Sequence, residues 1–379
     1  MRNFKYTLTL LIVSFHLMSC TLNEQTDGLE PDSERTILFY LAGDNSLSDE
    51  VQNKIDSLVA AWNEKVAAGG HLLVYADTRG AGPQLLEIHS REQGVARAEV
   101  IETYDEENSA SVPVLERVLT DMCTLYPGRD YGLVLFSHGS GWLPEGTRIA
   151  PSAATRTVAA DGNKEFELRK FASAIPNNQF SFIVFESCCM AGLEVAYELK
   201  DKAHYLIASS AEMLSPGMSP VYGPLLKALF RATPDYAGAA EAYYNYYDAQ
   251  ADANRSATVS VINTAELEPL KKLLGSVESR VDYWDYVDRE SVQTFDRSEY
   301  RHFVYDLGQY LQLLATDEER ELIDGYLEAA VPYQASTTSF MPGTDYEFAI
   351  EQHSGLTIYI PDPYLPGVNI ERKKLKLMI

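Results

Sequence analysis

The fold is decided by two stretches, FSFIVFESCCMAGLEVAYELKDKAHYLIASSAEM at Phe180–Met213 and YGLVLFSHGSGW at Tyr131–Trp142. Each begins with a short apolar run rich in β-branched and aromatic residues, which predicts a strand buried in a parallel sheet. Both runs stop abruptly at small polar residues, which include His138 after one strand and Cys188 after the other. Ligands bind beyond the carboxyl ends of such strands, so this pattern predicts an imidazole and a thiol in one crevice.

A thiol beside an imidazole is the arrangement of a cysteine nucleophile and its base. A free thiol with a pKa of about 8.5 is only a few per cent thiolate at neutral pH, and an imidazole or a helix N-terminus raises that fraction. Residues 191–200 have apolar positions at helical spacing, so Cys188 would precede the positive end of a helix dipole. The backbone N–H groups of Gly139 and Cys188 would form the oxyanion hole.

Each of the two residues also has a structural interpretation. A buried Cys after a strand is usually an inert small hydrophobe, and a single His is more often a satisfied polar residue than a base. Their pairing at two strand ends is what favours catalysis by His138 and Cys188.

The same residues resemble the clostripain-like cysteine peptidases, relatives of caspases, gingipains and legumains. Family members carry an HGSGW-like element after one strand and an Asp-Ala-Cys-Leu-Met element after the next. This chain has HGSGW at His138–Trp142 and ESCCM at Glu186–Met190. The pieces TILFYLAGDNSL, YDLGQYL and SGLTIYIP are also family-like, and the resemblance runs from Thr36 to Pro361. The interval from His138 to Cys188 matches the interval of about 50 residues in caspases.

This resemblance implies a caspase-like three-layer α/β/α sandwich with a mostly parallel sheet and a C-terminal α/β extension. It further implies a cysteine endopeptidase that cleaves peptides or proteins after Arg, with Lys left open, by a dyad of Cys188 and His138. Cys189 takes an apolar place in the family pattern. The alternative is a non-catalytic surface lipoprotein of the same fold that binds peptide or glycan without turnover.

Two acids are expected to bind the basic side chain of the substrate. Glu186 stands where the family usually has Asp, and its longer side chain supplies the same charge but makes the pocket shallower. Glu212 is the one acid within Ala208–Glu212, where relatives often carry two. A preference for basic residues therefore depends on the resemblance and on these two carboxylates.

No metal site or cofactor is predicted. The cysteines after residue 20 are Cys123, Cys188 and Cys189, which have no zinc-type spacing and cannot form a disulfide framework. Some relatives use calcium, but the sequence has no EF-hand-like spacing. The formal net charge of −24 argues against a nucleic-acid partner.

The first 20 residues have the pattern of an export signal, with Arg2 and Lys5 before an apolar run. The run ends in Leu-Met-Ser-Cys, which resembles a bacterial lipobox with Cys20 as the lipidated residue. The alternative is ordinary cleavage that leaves Cys20 as a stray thiol. The predicted product is an exported protein that is lipid-anchored to the bacterial cell envelope, at the outer membrane or cell surface.

The predicted organisation has four parts: a signal peptide over 1–20, a flexible tether over 21–34, a peptidase core over 35–215, and a C-terminal subdomain packed on it over 216–379. Within the core, Pro144–Gly162 is rich in small residues and lacks a large apolar cluster, which predicts an exposed, mobile loop. Relatives are often activated by self-cleavage after a basic residue in this interval. Arg148, Arg156 and Lys164 are the candidate cleavage positions, and an ordinary surface loop is the alternative.

Overall fold

The computed structural model describes residues 34–67, 69–90, 94–147, 158–298 and 300–379. Its strands are β1 (Thr36–Gly43), β2 (His71–Thr78), β3 (Ala81–Ser90), β4 (Ala96–Thr103), β5 (Tyr131–Phe136), β6 (Ala159–Asp161), β7 (Lys164–Phe166), β8 (Phe180–Glu186), β9 (Ala203–Ala208), β10 (Thr258–Asn263), β11 (Tyr305–Asp306), β12 (Tyr333–Ser336), β13 (Ser339–Phe340), β14 (Phe348–Ala349) and β15 (Thr357–Ile358). Its α-helices are α1 (Ser48–Ala61), α2 (Glu64–Ala67), α3 (Val112–Leu125), α4 (Leu168–Ala174), α5 (Leu193–Leu199), α6 (Tyr222–Leu229), α7 (Tyr236–Asp248), α8 (Leu267–Glu278), α9 (Leu307–Leu314), α10 (Asp317–Ala330) and α11 (Pro366–Arg372).

A nine-stranded sheet in the order β12-β10-β9-β8-β5-β1-β2-β3-β4 forms the centre of the molecule. Its five middle strands, from β9 to β2, are parallel, and antiparallel strands extend it at both sides. The two predicted strands are the neighbours β5 and β8, in register from Gly132 opposite Phe182 to Phe136 opposite Glu186. His138 and Cys188 therefore follow adjacent strands at the same edge of the sheet, as the sequence predicted.

The sheet separates two hydrophobic cores. Alternate side chains of β1 point to opposite faces, so Leu38 and Tyr40 belong to one core while Ile37 and Phe39 belong to the other. Helices α3, α4, α5 and α8 cover the first face, and α1, α6 and α7 cover the second. The predicted α/β fold, a mostly parallel sheet between two helical layers, is confirmed.

The chain beyond residue 215 supplies two strands of the central sheet, β10 and β12. It also supplies α6 and α7, which cover one face of that sheet. The short strands β11 and β15 pair with each other outside that sheet. A division into a core ending at residue 215 and a C-terminal subdomain stays a prediction.

The segment Pro144–Gly162 differs from the predicted exposed loop at its C-terminal end. Val158, Ala159 and Ala160 are fully buried, and β6 pairs with β7 in a small hairpin. This segment packs against the end of β1 and against Ser137. Its side chains are small and each buries little area, so the sequence offers no apolar cluster by which to predict that it is buried. The prediction of an exposed loop was wrong for residues 158–160.

Within the described ranges, no helix is long and apolar enough to cross a bilayer. Residues 1–33, which hold the predicted signal, Cys20 and nearly all of the tether, lie outside those ranges. Lipidation at Cys20 therefore stays a prediction.

A buried ion-pair network involves the last residue of α11, Arg372. The guanidinium of Arg372, in α11, donates to both carboxylate oxygens of Glu278 at 2.9 and 3.0 Å and to Glu194 in α5 at 3.3 Å. Arg372 is 3% exposed and Glu194 is 1% exposed. Burial raises the pKa of Glu194, and the charge of Arg372 opposes that shift. The network links α11 to α5, the helix that follows the loop of Cys188, and to α8.

We expect Arg372→Ala to lower the free energy of unfolding by about 3–5 kcal/mol, because it leaves two largely buried carboxylates without their cation. Urea unfolding followed by circular dichroism measures this change. Lys374→Ala is the matched control, since Lys374 forms an exposed pair with Glu371 and its loss should cost less than about 0.5 kcal/mol. Equal stability of the two variants would contradict a structural role for Arg372.

Candidate active site

The loops after β5 and β8 lie against each other. A Cβ at Gly139 would stand 2.8 Å from the carbonyl oxygen of Cys188 and 3.0 Å from the Cβ of Ser187, so only glycine permits this approach. Gly141 has a φ of +71°, and a Cβ there would lie 3.0 Å from the carbonyl oxygen of Cys189. The two glycines of the HGSG element are therefore needed to bring the histidine loop onto the cysteine loop.

His138 is partly exposed at this edge of the sheet. Its Nε2 lies 2.7 Å from the hydroxyl oxygen of Ser46, in the loop between β1 and α1. That contact fixes the orientation of the imidazole ring. The sequence quoted Ser46 within a family-like piece but gave no sign of this role, because the pair is formed between residues 92 positions apart.

Cys188 is held in the crevice by the loop after β9. The backbone N–H of Met213 donates to its Sγ at 3.2 Å. Burial raises the pKa of the Cys188 thiol to about 12, with a further contribution from the charge of Glu212, while the Met213 N–H and Arg297 lower it. A raised pKa disfavours the thiolate, so formation of the thiolate from this thiol calls for a base.

Cys189 has a different environment from its neighbour. It is 3% exposed, lies in the first core, and adopts a left-handed backbone conformation with a φ of +58°. Its N–H donates to the carbonyl oxygen of Ala211 at 3.0 Å. Burial raises the pKa of Cys189 well above its ordinary value. Its position matches the apolar place that the resemblance gave it.

Helix α5 follows this loop, as predicted, with Gly192 at its N-cap.

Glu186, the last residue of β8, lies in the interior and is 2% exposed. Its Oε1 pairs with the Nζ of Lys54 at 2.5 Å and accepts from the backbone N–H of Met218 at 2.6 Å, and its Oε2 accepts from the Tyr222 hydroxyl at 2.8 Å. Gly217 is required beside it, since a Cβ there would stand 2.4 Å from Oε1. The charge of Glu186 is thus met within the protein.

Lys54 belongs to α1 and is 1% exposed. Besides Glu186, its Nζ donates to the carbonyl oxygen of Pro216 at 3.2 Å and to the hydroxyl of Ser219 at 3.3 Å. The ammonium also lies 4.1 Å from the centroid of the Phe136 ring. The helical periodicity of α1 places Lys54 beside core residues, but nothing in the sequence identified its partner.

Glu212 immediately precedes Met213 and is partly buried. Its Oε2 pairs with the Nε of Arg297 at 2.5 Å, and the two side chains are 12% and 14% exposed. The Arg297 guanidinium also lies 4.9 Å from the centroid of the Tyr346 ring. Both acids predicted for the pocket therefore have a basic partner from the chain itself.

The candidate self-cleavage positions are only partly visible. Lys164 is exposed at the start of β7, whereas Arg148 and Arg156 lie outside the described residues.

Across the described ranges, no group of three or more His, Cys, Asp or Glu side chains is placed to hold a metal ion.

Comparison with known proteins agrees with this geometry. The chain is 30% identical to an inactive zymogen C11 protease from Parabacteroides distasonis, with a TM-score of 0.79 over 92% of this chain and 98% of that one. A secreted C11 cysteine protease from Bacteroides thetaiotaomicron, solved with an irreversible peptide inhibitor, is 25% identical, with a TM-score of 0.76 over 90% and 97% of the two chains. No curated protein matches.

The family model that matches residues 39–332 is that of the clostripain family. This match includes the histidine loop, the cysteine loop and the strands that carry them. With the sheet order, the adjacent loops and the similarity to two solved proteases, it shows that the chain belongs to the clostripain family and is a cysteine peptidase.

Proposed function

We propose that the protein is an endopeptidase in which Cys188 is the nucleophile and His138 the general base. The observation that carries the proposal is the close approach of the two glycine-dependent loops after β5 and β8, the loops to which His138 and Cys188 belong. Burial raises the pKa of the Cys188 thiol, which supports a role for a neighbouring base in forming the thiolate.

In the proposed reaction, His138 takes the proton of the Cys188 thiol as the sulfur attacks the carbonyl carbon of the peptide bond. The N–H groups of Gly139 and Cys188 donate to the oxyanion that forms. His138 then gives the proton to the leaving amine, and the C–N bond breaks to leave an acyl-enzyme. Water hydrolyses that thioester with His138 again as base. Ser46 is a positioning residue that keeps the ring in place for both transfers.

For the substrate we propose a peptide with Arg, or with lower preference Lys, before the cleaved bond. Glu212 supports this specificity because it adjoins Met213, whose N–H contacts the nucleophile, and because its carboxylate is close to the surface. Glu186 is a weaker candidate for direct binding, since its carboxylate is buried and paired with Lys54. We therefore assign Glu186 to positioning of the 214–218 loop rather than to contact with substrate.

We also propose export and lipid attachment at Cys20. The pattern of the first 20 residues supports both, and one similar solved protease is described as secreted. Self-activation by cleavage after Arg148, Arg156 or Lys164 is supported by a similar protein that is an inactive zymogen. Exposure of Lys164 at the edge of a hairpin makes it accessible to a second copy of the enzyme.

We expect Cys188→Ala to abolish hydrolysis of fluorogenic peptides, whereas Cys189→Ala keeps most of it, because only the first thiol faces the crevice. Rates and the labelling of each variant by a biotinylated haloacetamide check this directly. If the Cys189→Ala variant were inactive and Cys188→Ala active, the assignment of the nucleophile would be reversed.

His138→Ala should lower kcat by about a hundredfold or more, the usual scale of general acid–base catalysis. Its unfolding midpoint should stay close to that of the wild type, because the imidazole is partly exposed. His204→Ala, at an exposed position of β9, is the matched control and should keep full activity. A fully active His138→Ala enzyme would remove this residue from the mechanism.

Glu186→Gln should destabilise the protein by about 3–5 kcal/mol, because it leaves the Lys54 ammonium buried without its counterion. The double variant Lys54→Met/Glu186→Gln should recover most of that loss. Urea unfolding of the single and double variants measures the coupling. A single variant with wild-type stability that had lost only the turnover of Arg and Lys peptides would instead make Glu186 the pocket acid.

A further inference from the structure

A guanidinium is already bound next to the nucleophile, and it belongs to the chain itself. Arg297 is paired with the carboxylate of Glu212 and stands over the ring of Tyr346. A carboxylate together with an aromatic face is the combination by which proteins bind guanidinium groups. The site formed by Glu212 and Tyr346, which we call the cation subsite, therefore has the chemistry needed to bind an arginine side chain.

This cation subsite lies beside the reacting sulfur. Glu212 and Met213 are consecutive, and the Met213 N–H contacts the Sγ of Cys188. The charges of Glu212 and Arg297 both act on the Cys188 thiol. A substrate side chain adjoining the cleaved bond would reach the same position.

Hydrogen bonds between residues 295–296 and 303–304, at the base of the loop over 295–304, hold the backbone next to Arg297 in place. The Phe295 N–H donates to the carbonyl oxygen of Val304 at 2.8 Å, and the buried carboxylate of Asp296 accepts from the N–H groups of Phe303 and Val304 at 2.7 and 2.9 Å. Asp296 thus fixes the base of the loop independently of Arg297. The guanidinium can leave Glu212 by side-chain rotation, with the base of the loop intact.

We infer that Arg297 is a resident occupant of the cation subsite, and that a substrate arginine binds Glu212 and Tyr346 only by displacing it. The contact is therefore autoinhibitory toward substrates with Arg before the cleaved bond. This inference rests on the proposed function, because it assumes that this side of Cys188 receives the substrate.

A substrate arginine can bind only those molecules in which Arg297 has left the subsite. The apparent Kd of the substrate is therefore the intrinsic Kd divided by the fraction of molecules with an empty subsite. If Arg297 occupies the subsite in about nine-tenths of the molecules, its removal strengthens binding of an arginine side chain about tenfold. A substrate with Leu at the same position gains nothing, because it does not use the carboxylate.

The chain offers a close control. Arg301 is carried by the same loop, pairs with Asp362 at 2.5 Å, and lies 4.7 Å from the centroid of the Tyr364 ring. It has the same chemistry as Arg297 but uses a different carboxylate and a different ring. Arg301→Gln therefore reports any general effect of losing a guanidinium from this loop.

The experiment compares wild type, Arg297→Gln and Arg301→Gln on matched peptides with Arg or Leu before the cleaved bond. We expect Arg297→Gln to lower KM for the Arg peptide about tenfold without changing KM for the Leu peptide, and Arg301→Gln to change neither. Glu212→Gln should raise KM for the Arg peptide alone. An unchanged KM for the Arg peptide in Arg297→Gln, or equal changes for both peptides, would overturn the inference.

Binding without turnover separates this inference from the proposed function. Calorimetric titration of the Arg peptide into Cys188→Ala and into Cys188→Ala/Arg297→Gln should show about tenfold tighter binding to the second protein. Equal binding would overturn the inference even if wild type hydrolyses peptides. Failure of the proposed function would give a different result: the wild-type enzyme would hydrolyse neither peptide, and its Cys188 would not be labelled by the haloacetamide. If Arg297→Gln fails to fold, Arg297→Lys, which keeps the charge but not the planar fork, is the second test: it should lower KM for the Arg peptide relative to wild type without changing KM for the Leu peptide, and an unchanged KM for the Arg peptide would overturn the inference.

Discussion

The buried ion pair of Lys54 and Glu186 joins α1, the end of β8 and the turn after β9, and it lies beside the end of β5. Lys54 comes from α1 and lies over the ring of Phe136 at the end of β5, two residues before the histidine. Glu186 ends β8, two residues before the cysteine, and binds the turn after β9 through Met218. Removing two charges from water is costly, and extra hydrogen bonds to both partners are what makes the burial tolerable. The loops that carry His138 and Cys188 therefore depend on this buried pair.

The state of Cys188 follows from this packing. The turn that Glu186 holds through Met218 is preceded by Met213. The N–H of Met213 donates to the Sγ of Cys188, and this hydrogen bond would stabilise a thiolate. Burial and the charge of Glu212 act against the thiolate, and Arg297 acts for it. A substrate arginine that replaced Arg297 would leave a positive charge in the same place, so the electrostatic environment of the sulfur would be preserved through binding.

Much of the fold was predictable because its signals are local. Continuous apolar runs identify β5 and β8, and a run that ends in small polar residues locates His138 and Cys188 at one edge of the sheet. The partners of the two acids were not predictable, since Lys54 is 132 residues from Glu186 and Arg297 is 85 residues from Glu212. A charge pattern along the chain cannot show which distant cation meets which carboxylate. Residues 158–160 were missed for another reason, because Ala and Val in a segment of small residues give no periodic signal.

Lys54 and Arg297 differ in how deeply they are buried and in how many partners hold them, and this difference bears on which acid we propose for the substrate. The Lys54 ammonium is 1% exposed and has three oxygen partners and an aromatic ring around it. Withdrawing it would leave Glu186 charged in the core, at a cost of about 3–5 kcal/mol, which no single side chain of a peptide readily offsets. Arg297 is 14% exposed and meets its carboxylate beside solvent, so water can hydrate either partner once they separate. The proposed exchange with an incoming guanidinium would therefore cost less at Glu212 than at Glu186.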